Sequence, residues 1–431
     1  MEGEFRQLLD SRKQELKKAC SLRGFAERKD ALCTLAREVL GASSLAYVGG
    51  KLSRYDGRGY VNVGVADVRD ALVNVLSDMG VGASDISKLG DTPYSVLKRK
   101  IIDVRRDVVA FGNCIFSLVD GCTYGFDKAT ASWLCLDYPF NDNGCPQWSA
   151  FLEEVLPDAD ERAVLQEFFG MCLVDRNYLS IEKMALFVGS GANGKSVVCD
   201  VMRSVFGGGR YVGNLSPDQL QDAKQITSLE NAVLNIAPDV RKGSSFDSAL
   251  KALASSQEIT GWKLYEGGVV IKCPPLCFAL NEMPYFRDTT DAFFRRLLVF
   301  RFDVVIPEER QDRNLATRIV ANESCGVFRW AYEGYQRLLR NKGMFSHCER
   351  MKEALSALKV DVKTSQSEVL QCVEAMGYAL SGEKVVKVDA DEIVADMQGK
   401  VTKYQVTREL KKAGIECQRT AKGMYYKLYK I

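Results

Sequence analysis

A chain of 431 residues is long enough for two or three domains, each with its own apolar core. Hydrophobic residues make up 46% and charged residues 26%, which excludes a disordered or fibrous chain. The 58 Lys and Arg nearly balance the 56 Asp and Glu, and a net charge of +2 gives no global field that would attract nucleic acid. Any site for a polyanion must therefore be local.

The cysteines and the apolar segments indicate in which cellular compartment the protein is expected. The 14 cysteines are scattered along the chain, which favours reduced thiols over a disulfide scaffold. The first residues, MEGEFRQLLD, have neither a basic leader nor an apolar core segment, and no stretch approaches the roughly 20 apolar residues that span a bilayer. We expect a soluble protein in the cytoplasm of a host cell, with no membrane partner.

Residues 1–146 predict an N-terminal α+β domain. Leucines among charged residues indicate helices over residues 1–45, and the alternation of aromatic, branched and polar residues over 47–63 is typical of a short hairpin. An extended block at 104–138 ends in the turn cluster PFNDNGCP at 139–146, where we place the domain boundary.

The sequence pattern over residues 147–340 predicts an α/β domain. Residues 153–174 have the apolar spacing of an amphipathic helix and lead to the apolar run MALFV at 184–188, which predicts a buried strand. Apolar strands and polar helical stretches alternate to about residue 340, which favours a central sheet.

The strongest signal follows the strand at 184–188. GSGANGKS at 189–196 is a complete G-x-x-x-x-G-K-[ST] motif between an apolar strand and a helical segment. Such glycines let successive backbone N–H groups point at a phosphate, while Lys195 would reach the β and γ phosphates and Ser196 would hold Mg²⁺. The predicted ATP-binding residues are Gly189, Gly191, Asn193, Gly194, Lys195, Ser196 and Val197. The alternative is a glycine-rich turn that binds no ligand.

Polar residues after two further apolar runs extend this predicted site. Asp239 follows the run at 232–237 and would position the Mg²⁺ ion, unless it only caps a turn. Asn281 follows the run at 276–280 and would orient the attacking water or contact the γ phosphate, unless it belongs to an ordinary turn.

Two arginines, Arg295 and Arg296, stand among apolar residues in DAFFRRLLVFRF at 291–302. An arginine held at a subunit edge can stabilise charge on the γ phosphate bound to a neighbouring subunit. A surface salt bridge is the alternative.

Residues 258–275 predict two strands joined by a tight turn. A loop that bears Lys263 and Tyr265 could meet a phosphate backbone and a base face at once, and Lys272 is the third predicted DNA contact. A plain solvated hairpin is the alternative.

The order of these motifs along the chain resembles that of a superfamily 3 helicase of the poxvirus and phage helicase-primase group, with its associated N-terminal domain. The resemblance covers roughly residues 104–302. It rests on FGNCIFSLVDG at 111–121, LQEFFGMCL at 165–173, GSGANGKS at 189–196, LNIAPD at 234–239, LCFALNEMP at 276–284 and FRRLLVFRF at 294–302. It implies a P-loop core of the AAA+ type and a ring, usually hexameric, with ATP bound between subunits and a hairpin that grips single-stranded DNA in the channel.

The resemblance also implies residue roles. These are Lys195 and Ser196 at the nucleotide, Asp239 as the second acidic motif, Asn281 as sensor 1, Arg295 or Arg296 as the finger, and Lys263 with Tyr265 as hairpin contacts. The chain departs from the family at Pro238, which precedes a lone Asp239 where relatives carry two acids or a Glu. The general base is therefore unassigned, and Glu230 or Glu258 would have to supply it.

A second departure concerns primer synthesis. Related proteins often carry a primase, but roughly 100 residues ahead of the recognisable block are too few for that domain. We expect no primer synthesis by this chain and a separate primase or polymerase as a partner.

Residues 341–431 form the third predicted domain. Residues 400–431 carry nine Lys or Arg against two Glu, a local net charge of +7. Helical stretches at 389–398 and 404–413 precede two extended segments, the order of a small winged-helix module. Tyrosines interleaved with the basic residues favour duplex DNA as its ligand, and a solvated basic face is the alternative.

The sequence thus predicts an ATP-driven DNA helicase or translocase for replication of a phage, virus or mobile element. One alternative is a nucleotide-switched initiator that binds an origin without unwinding it. Another is a P-loop signalling or defence ATPase that assembles without a DNA channel.

Overall fold

The computed structural model describes residues 1–174, 178–240, 245–246, 248–255, 258–263, 267–281, 285–286, 290–379, 385–412, 415–420 and 423–430. Its contacts divide the chain into two units, Met1–Asn143 and Gly144–Ile431. The predicted boundary after residue 146 falls at the start of a helix of the second unit. The turn-rich cluster ends there because proline is favoured at the first position of a helix.

The first part of the N-terminal unit combines helices with a small sheet. Its elements are α1 (Glu2–Asp10), α2 (Lys13–Ser21), α3 (Phe25–Ala42), β1 (Leu45–Val48), β2 (Lys51–Tyr55), β3 (Tyr60–Asn62), α4 (Val65–Asp78), α5 (Ala83–Ile86), a 3₁₀ helix (Thr92–Arg99) and β4 (Ile101–Ile102). The strands lie in the order β3-β2-β1-β4. The apolar faces of the helices form one buried cluster with β1 and β2, as the leucine spacing predicted.

The second part of this unit is a four-stranded sheet. Its strands are β5 (Val104–Ala110), β6 (Ile115–Ser117), β7 (Thr123–Tyr124) and β8 (Ala131–Cys135), in the order β7-β6-β5-β8. Phe111 packs edge-on against Phe116, Tyr138 and Phe140, with ring centroids 5.2–6.3 Å apart. The predicted extended block is thus confirmed as a sheet.

The C-terminal unit begins with helices, strands and short 3₁₀ turns that alternate. Its first elements are α6 (Pro146–Val155), α7 (Ala159–Met171), β9 (Met184–Val188), α8 (Lys195–Val205), β10 (Val212–Gly213), β11 (Leu234–Ala237), β12 (Ser245–Phe246), α9 (Ser248–Ala254), β13 (Glu258–Lys263), β14 (Gly267–Lys272), β15 (Leu276–Leu280), β16 (Tyr285–Phe286), α10 (Asp291–Phe294) and β17 (Leu297–Arg301). The single helix predicted over 153–174 is two helices, because Pro157 cannot continue α6 and Asp158 caps α7 by accepting a hydrogen bond from the Glu161 N–H at 2.8 Å.

Five parallel strands form the central sheet of this unit, in the order β10-β11-β15-β9-β17. The central strands β9 and β15 are buried along their whole length, as expected of a parallel sheet covered on both faces. In register, Val188 at the end of β9 lies beside Leu280 of β15 and Arg301 of β17. The sheet predicted from the apolar runs is confirmed, and the fold is mixed α/β.

Two long helices, α11 (Leu315–Arg340) and α12 (Glu349–Ala375), follow the sheet. The sequence pattern did not distinguish α11 from the strand and helix alternation before it. Gly170 of α7 and Gly334 of α11 allow the two helices to touch, since a Cβ at Gly334 would lie 2.1 Å from the Gln166 carbonyl oxygen.

The chain ends in a small antiparallel sheet with two helices. Its elements are β18 (Tyr378–Ala379), β19 (Val385–Asp389), α13 (Ala390–Asp396), α14 (Lys403–Lys412), β20 (Cys417–Thr420) and β21 (Gly423–Lys430). β21 pairs with β18, β19 and β20. This segment has its own apolar cluster, which includes Val388, Leu410 and Tyr426, and the helices predicted at 389–398 and 404–413 are confirmed.

No helix within the described ranges has both the length and the apolar character that crossing a bilayer requires.

Candidate functional site

The carboxyl ends of four parallel strands bring the predicted nucleotide residues to one edge of the sheet. β9 runs into the glycine-rich loop, residues 189–194, and the Gly189 N–H donates to the Leu280 carbonyl oxygen at 3.1 Å. Asn281 follows β15 directly, and Asp239 follows the end of β11 by two residues. In open α/β sheets ligands bind at this carboxyl edge. The topology thus places Lys195, Asp239 and Asn281 at the same edge.

The glycine-rich loop has a backbone that ordinary residues rarely adopt. Gly191, Ala192 and Gly194 have positive φ angles of 115°, 50° and 85°. A Cβ at Gly194 would lie 2.7 Å from Val155 Cγ1, and a Cβ at Gly189 would lie 2.1 Å from Asn193 Nδ2. These positions require glycine because the chain turns sharply against packed neighbours before α8 begins.

Lys195 is buried at the start of α8, and its ammonium is held within the loop. Nζ donates to the Gly189 carbonyl oxygen at 2.6 Å and to Asn193 Oδ1 at 2.9 Å. Burial lowers the pKa of Lys195, because removal from water disfavours the charged form. The Asn193 amide Nδ2 donates in turn to the Phe302 carbonyl oxygen at 2.9 Å, just after β17. Lys195, the glycine-rich loop and the end of β17 are therefore connected by one hydrogen-bond network.

Oxygen-bearing side chains at this edge fit a magnesium ion. Ser196 on α8 and Asp239 after β11 are exposed, and Val197, which follows Ser196 on α8, is half-buried. A hydroxyl and a carboxylate are hard oxygen ligands, and Mg²⁺ is commonly held by one or two protein groups together with substrate phosphates. Asn281 is exposed as well, so its amide is accessible at the end of β15.

The two predicted arginines lie at the opposite edge of the sheet. They immediately precede β17, and the Met184 N–H at the start of β9 donates to the Arg296 carbonyl oxygen at 2.8 Å. Arg296 is buried, pairs with Glu182 at 2.6 Å, and donates to Ser255 Oγ at 3.0 Å. The Arg295 side chain is 67% exposed and lies 3.8 Å from Glu182. Of the two, only Arg295 is accessible to a neighbouring molecule.

The hairpin predicted at 258–275 is present as β13 and β14, paired from Glu258↔Lys272 to Lys263↔Gly267. Lys263 forms a salt bridge with Glu230, and Lys272 lies 3.8 Å from Glu258. Tyr265 lies outside the described residues.

The two candidate general bases also lie away from the glycine-rich loop. Glu230 precedes β11, and Glu258 begins the hairpin that leads into the amino end of β15. Both carboxylates are therefore at the amino edge of the sheet and engaged with lysines.

A buried carboxylate that the sequence did not single out lies near the carboxyl edge. Glu161 of α7 is fully buried, and its Oε1 accepts a hydrogen bond from the Arg301 N–H at 3.0 Å. Its Oε2 lies 3.2 Å from Arg350 Nε but receives no well-directed hydrogen bond. Burial raises the pKa of Glu161 to about 7. In the sequence, the spacing of Asp158 and Glu161 indicates the start of a helix, but it does not indicate that the Glu161 carboxylate is buried.

The chain is similar to known proteins in parts of its sequence and in its fold. Residues 187–296, about a quarter of the chain, match the model of a family of unknown function (DUF5906). A protein of Acanthamoeba polyphaga mimivirus named "Putative helicase L207/L206" is 23% identical over 235 residues, which are 50% of this chain and 24% of that protein. The match therefore spans about a quarter of the length of the viral protein.

A solved structure resembles nearly the whole chain. The apo structure of the NrS-1 C-terminal region is 12% identical, with a TM-score of 0.51, and the likeness covers 92% of this chain and 98% of that one. At this level of identity the likeness shows a shared fold.

Proposed function

We propose that this chain is an ATP-dependent DNA helicase or translocase that acts as a ring in the replication of a phage, virus or mobile element. The observation that carries the proposal is the position of Lys195. The lysine follows a glycine-rich loop between a buried parallel strand and a helix, at the same edge as Asp239 and Asn281. The mimivirus relative, which is named as a helicase, supports a viral replication role.

The glycine-rich loop would bind the triphosphate as a P-loop. The amino end of α8 carries a partial positive charge, and backbone N–H groups of such loops bind phosphate oxygens. Lys195 would exchange its bonds to Gly189 and Asn193 for bonds to the β and γ phosphates. The strand order, with β9 between β15 and β17, supports an AAA+ type core.

Ser196 and Asp239 would hold Mg²⁺ beside the phosphates. The ion, when bound, neutralises charge on the phosphate oxygens. Asn281 would position the attacking water or contact the γ phosphate from the end of β15.

The arginines act between subunits in this proposal. A strand rises about 3.3 Å per residue, so the six residues from Lys183 to Gly189 span about 20 Å. That separation is longer than an arginine side chain, so Arg295 cannot reach the glycine-rich loop of its own chain. An exposed arginine at that edge would instead complete the site of a neighbouring subunit, which supports a ring, by resemblance a hexamer.

DNA would be bound at two places. The β13–β14 hairpin would contact single-stranded DNA in the channel. The C-terminal segment, with β19, α13, α14, β20 and β21, would act as a winged-helix module on duplex DNA, and its basic composition supports this role.

The test is phosphate release with and without single-stranded DNA. We expect DNA to stimulate release by the native chain, and Lys195→Ala to abolish it while Lys98→Ala, a change at an exposed lysine of the other unit, does not. Equal release by Lys195→Ala would refute an ATP site at this loop.

One observation favours a second candidate, the nucleotide-switched initiator. Asp239 has no acidic residue next to it in the sequence, and Glu230 and Glu258 pair with lysines at the amino edge of the sheet. An initiator would bind ATP and DNA but show little DNA-stimulated phosphate release, so the same measurement separates the two candidates.

A further inference from the structure

The β13–β14 hairpin has two different faces. Because side chains alternate along paired strands, Ile259, Gly261, Val269 and Ile271 share one face, and Ile271 is buried in the core of the central sheet. The opposite face carries Glu258, Thr260, Trp262, Gly268, Val270 and Lys272, each of which is exposed.

Trp262 is the prominent residue of this outer face. Its side chain is 57% exposed, whereas Trp148 is buried and Trp133 and Trp330 are half-buried. Its cross-strand partner is Gly268, which has no side chain to lie against the indole. A Cβ at Gly268 would lie 3.9 Å from Trp262 Cζ3, so the indole lies close to this position, and its 57% exposure leaves the rest of the ring accessible at the surface of the hairpin.

The strand that carries Trp262 is firmly anchored. The Trp262 N–H donates to the Ala223 carbonyl oxygen at 2.7 Å. Gly261 packs so closely that a Cβ there would lie 2.7 Å from Thr227 Cγ2 and 2.9 Å from Ile271 Cδ1. The indole is thus presented from a fixed backbone.

We propose that Trp262 is a stacking platform for a base of single-stranded DNA, with Lys272 on the same face near the phosphate backbone. Aromatic side chains beside basic residues bind single strands in this way without reading sequence. The inference rests on the proposed function and deepens it. It moves the main hairpin contact from Lys263, which faces the core side and pairs with Glu230, to Trp262.

The extent of the face favours a base over a protein partner. Among the described residues of the hairpin, the exposed apolar side chains of this face are Trp262 and Val270, and the Glu258 and Lys272 pair bounds them at one end. A stable protein interface buries roughly 800 Å² on each partner, far more than two side chains supply. A single nucleobase, by contrast, matches the area of one indole ring.

The experiment measures binding of a fluorescent oligothymidylate of about 20 nucleotides to the full chain by anisotropy, over a series of salt concentrations. We expect Trp262→Ala to weaken binding about tenfold or more, which corresponds to about 1.4 kcal/mol, with an unchanged salt slope. Trp262→Phe should retain most of the affinity because a phenyl ring still stacks. Lys272→Ala should reduce the salt slope by about 1.

A further variant controls for the loss of an exposed aromatic ring as such. Tyr124→Ala removes an exposed aromatic ring from the N-terminal unit and should leave binding unchanged.

The outcomes separate the two proposals. Native affinity in Trp262→Ala would overturn the stacking platform but leave the helicase proposal standing. The same conclusion would follow if Trp262→Ala lost affinity together with a change of oligomeric state in size-exclusion chromatography. A native chain that binds no single-stranded DNA would overturn the helicase proposal itself, and the platform with it.

Discussion

Lys195 and Asn193 are joined by a hydrogen bond of 2.9 Å between the lysine Nζ and the asparagine Oδ1. The same asparagine donates from Nδ2 to the Phe302 carbonyl oxygen at 2.9 Å. Asn193 is buried, so both bonds lie inside the protein. Binding of a triphosphate would replace the partners of the lysine but not the bond from Asn193 to Phe302, which holds the glycine-rich loop against the end of β17.

Asn193→Ala should therefore destabilise the loop. It leaves the Phe302 carbonyl and the buried Lys195 ammonium each without one partner, and an unsatisfied buried polar group costs about 1–3 kcal/mol. We expect the free energy of unfolding to fall by that amount in denaturant titrations, and ATP affinity to fall about tenfold. Asn314→Ala, a change at an exposed asparagine, is the control. Unchanged affinity in Asn193→Ala would show that the asparagine does not position the loop.

Gly194→Ala should abolish nucleotide binding through backbone strain and collision. The left-handed backbone at φ 85° costs an alanine about 1–2 kcal/mol, and its Cβ would lie 2.7 Å from Val155 and 2.9 Å from Phe151. Gly209→Ala is the matched control, because no atom lies within 4 Å of its Cβ and its φ is not positive. Thermal melts and nucleotide titrations of both variants check this, and equal behaviour of the pair would contradict it.

Glu161 should make stability depend on pH. Burial raises its pKa from the ordinary 4.5 to about 7, so the folded state holds a proton that the unfolded chain releases. This contribution is fully present below pH 4.5 and is lost as pH rises through 7. At most about 3.5 kcal/mol of unfolding free energy is involved. We expect Glu161→Gln, which keeps an acceptor for the Arg301 N–H, to flatten the pH profile of the unfolding free energy between pH 4.5 and 7. An unaltered profile would exclude Glu161 as its source.

Alanine substitutions at Arg295 and Arg296 should have different effects on stability and on ATP hydrolysis. Arg296 is buried and bonded to Glu182 and Ser255, so its loss should cost about 2 kcal/mol or more of stability. Arg295→Ala should change stability by about 0.5 kcal/mol or less but reduce ATP hydrolysis about 10³-fold.

Mixing two inactive variants tests whether Arg295 acts on a neighbouring subunit. A ring that contains Lys195→Ala and Arg295→Ala chains has some sites with a native lysine from one chain and a native arginine from the other. Phosphate release should therefore recover partly in the mixture. If the mixture stays as inactive as either variant alone, the arginine does not act between subunits.

The sequence predicted the sheet because each central strand is a short apolar run. The run MALFV coincides with β9 and the run LCFAL with β15, residue for residue. Strands buried on both faces are apolar at every position, so the apolar run and the strand have the same limits. It missed the break between α6 and α7 and the length of α11, because apolar spacing marks a helix more clearly than it marks where one helix ends.

The candidate site was predictable where chemistry is local in sequence. The glycine-rich loop is one contiguous motif, and Asp239 and Asn281 follow strands that the pattern identified. What the sequence could not supply is orientation: that Arg296 points into the core, that Lys263 faces Glu230, and that Trp262 faces outward. These depend on strand register and on segments more than 30 residues apart.

Strand separation shows most directly whether this chain is an ATP-driven DNA helicase. A forked DNA duplex with one labelled strand is incubated with the native chain and ATP, and release of the labelled strand is followed over time. We expect ATP-dependent release that is lost in Lys195→Ala and retained in Gly209→Ala. Strand separation that persists in Lys195→Ala would show that the glycine-rich loop does not drive unwinding. No strand separation by a native chain that binds both ATP and the fork would show that the chain is not a helicase.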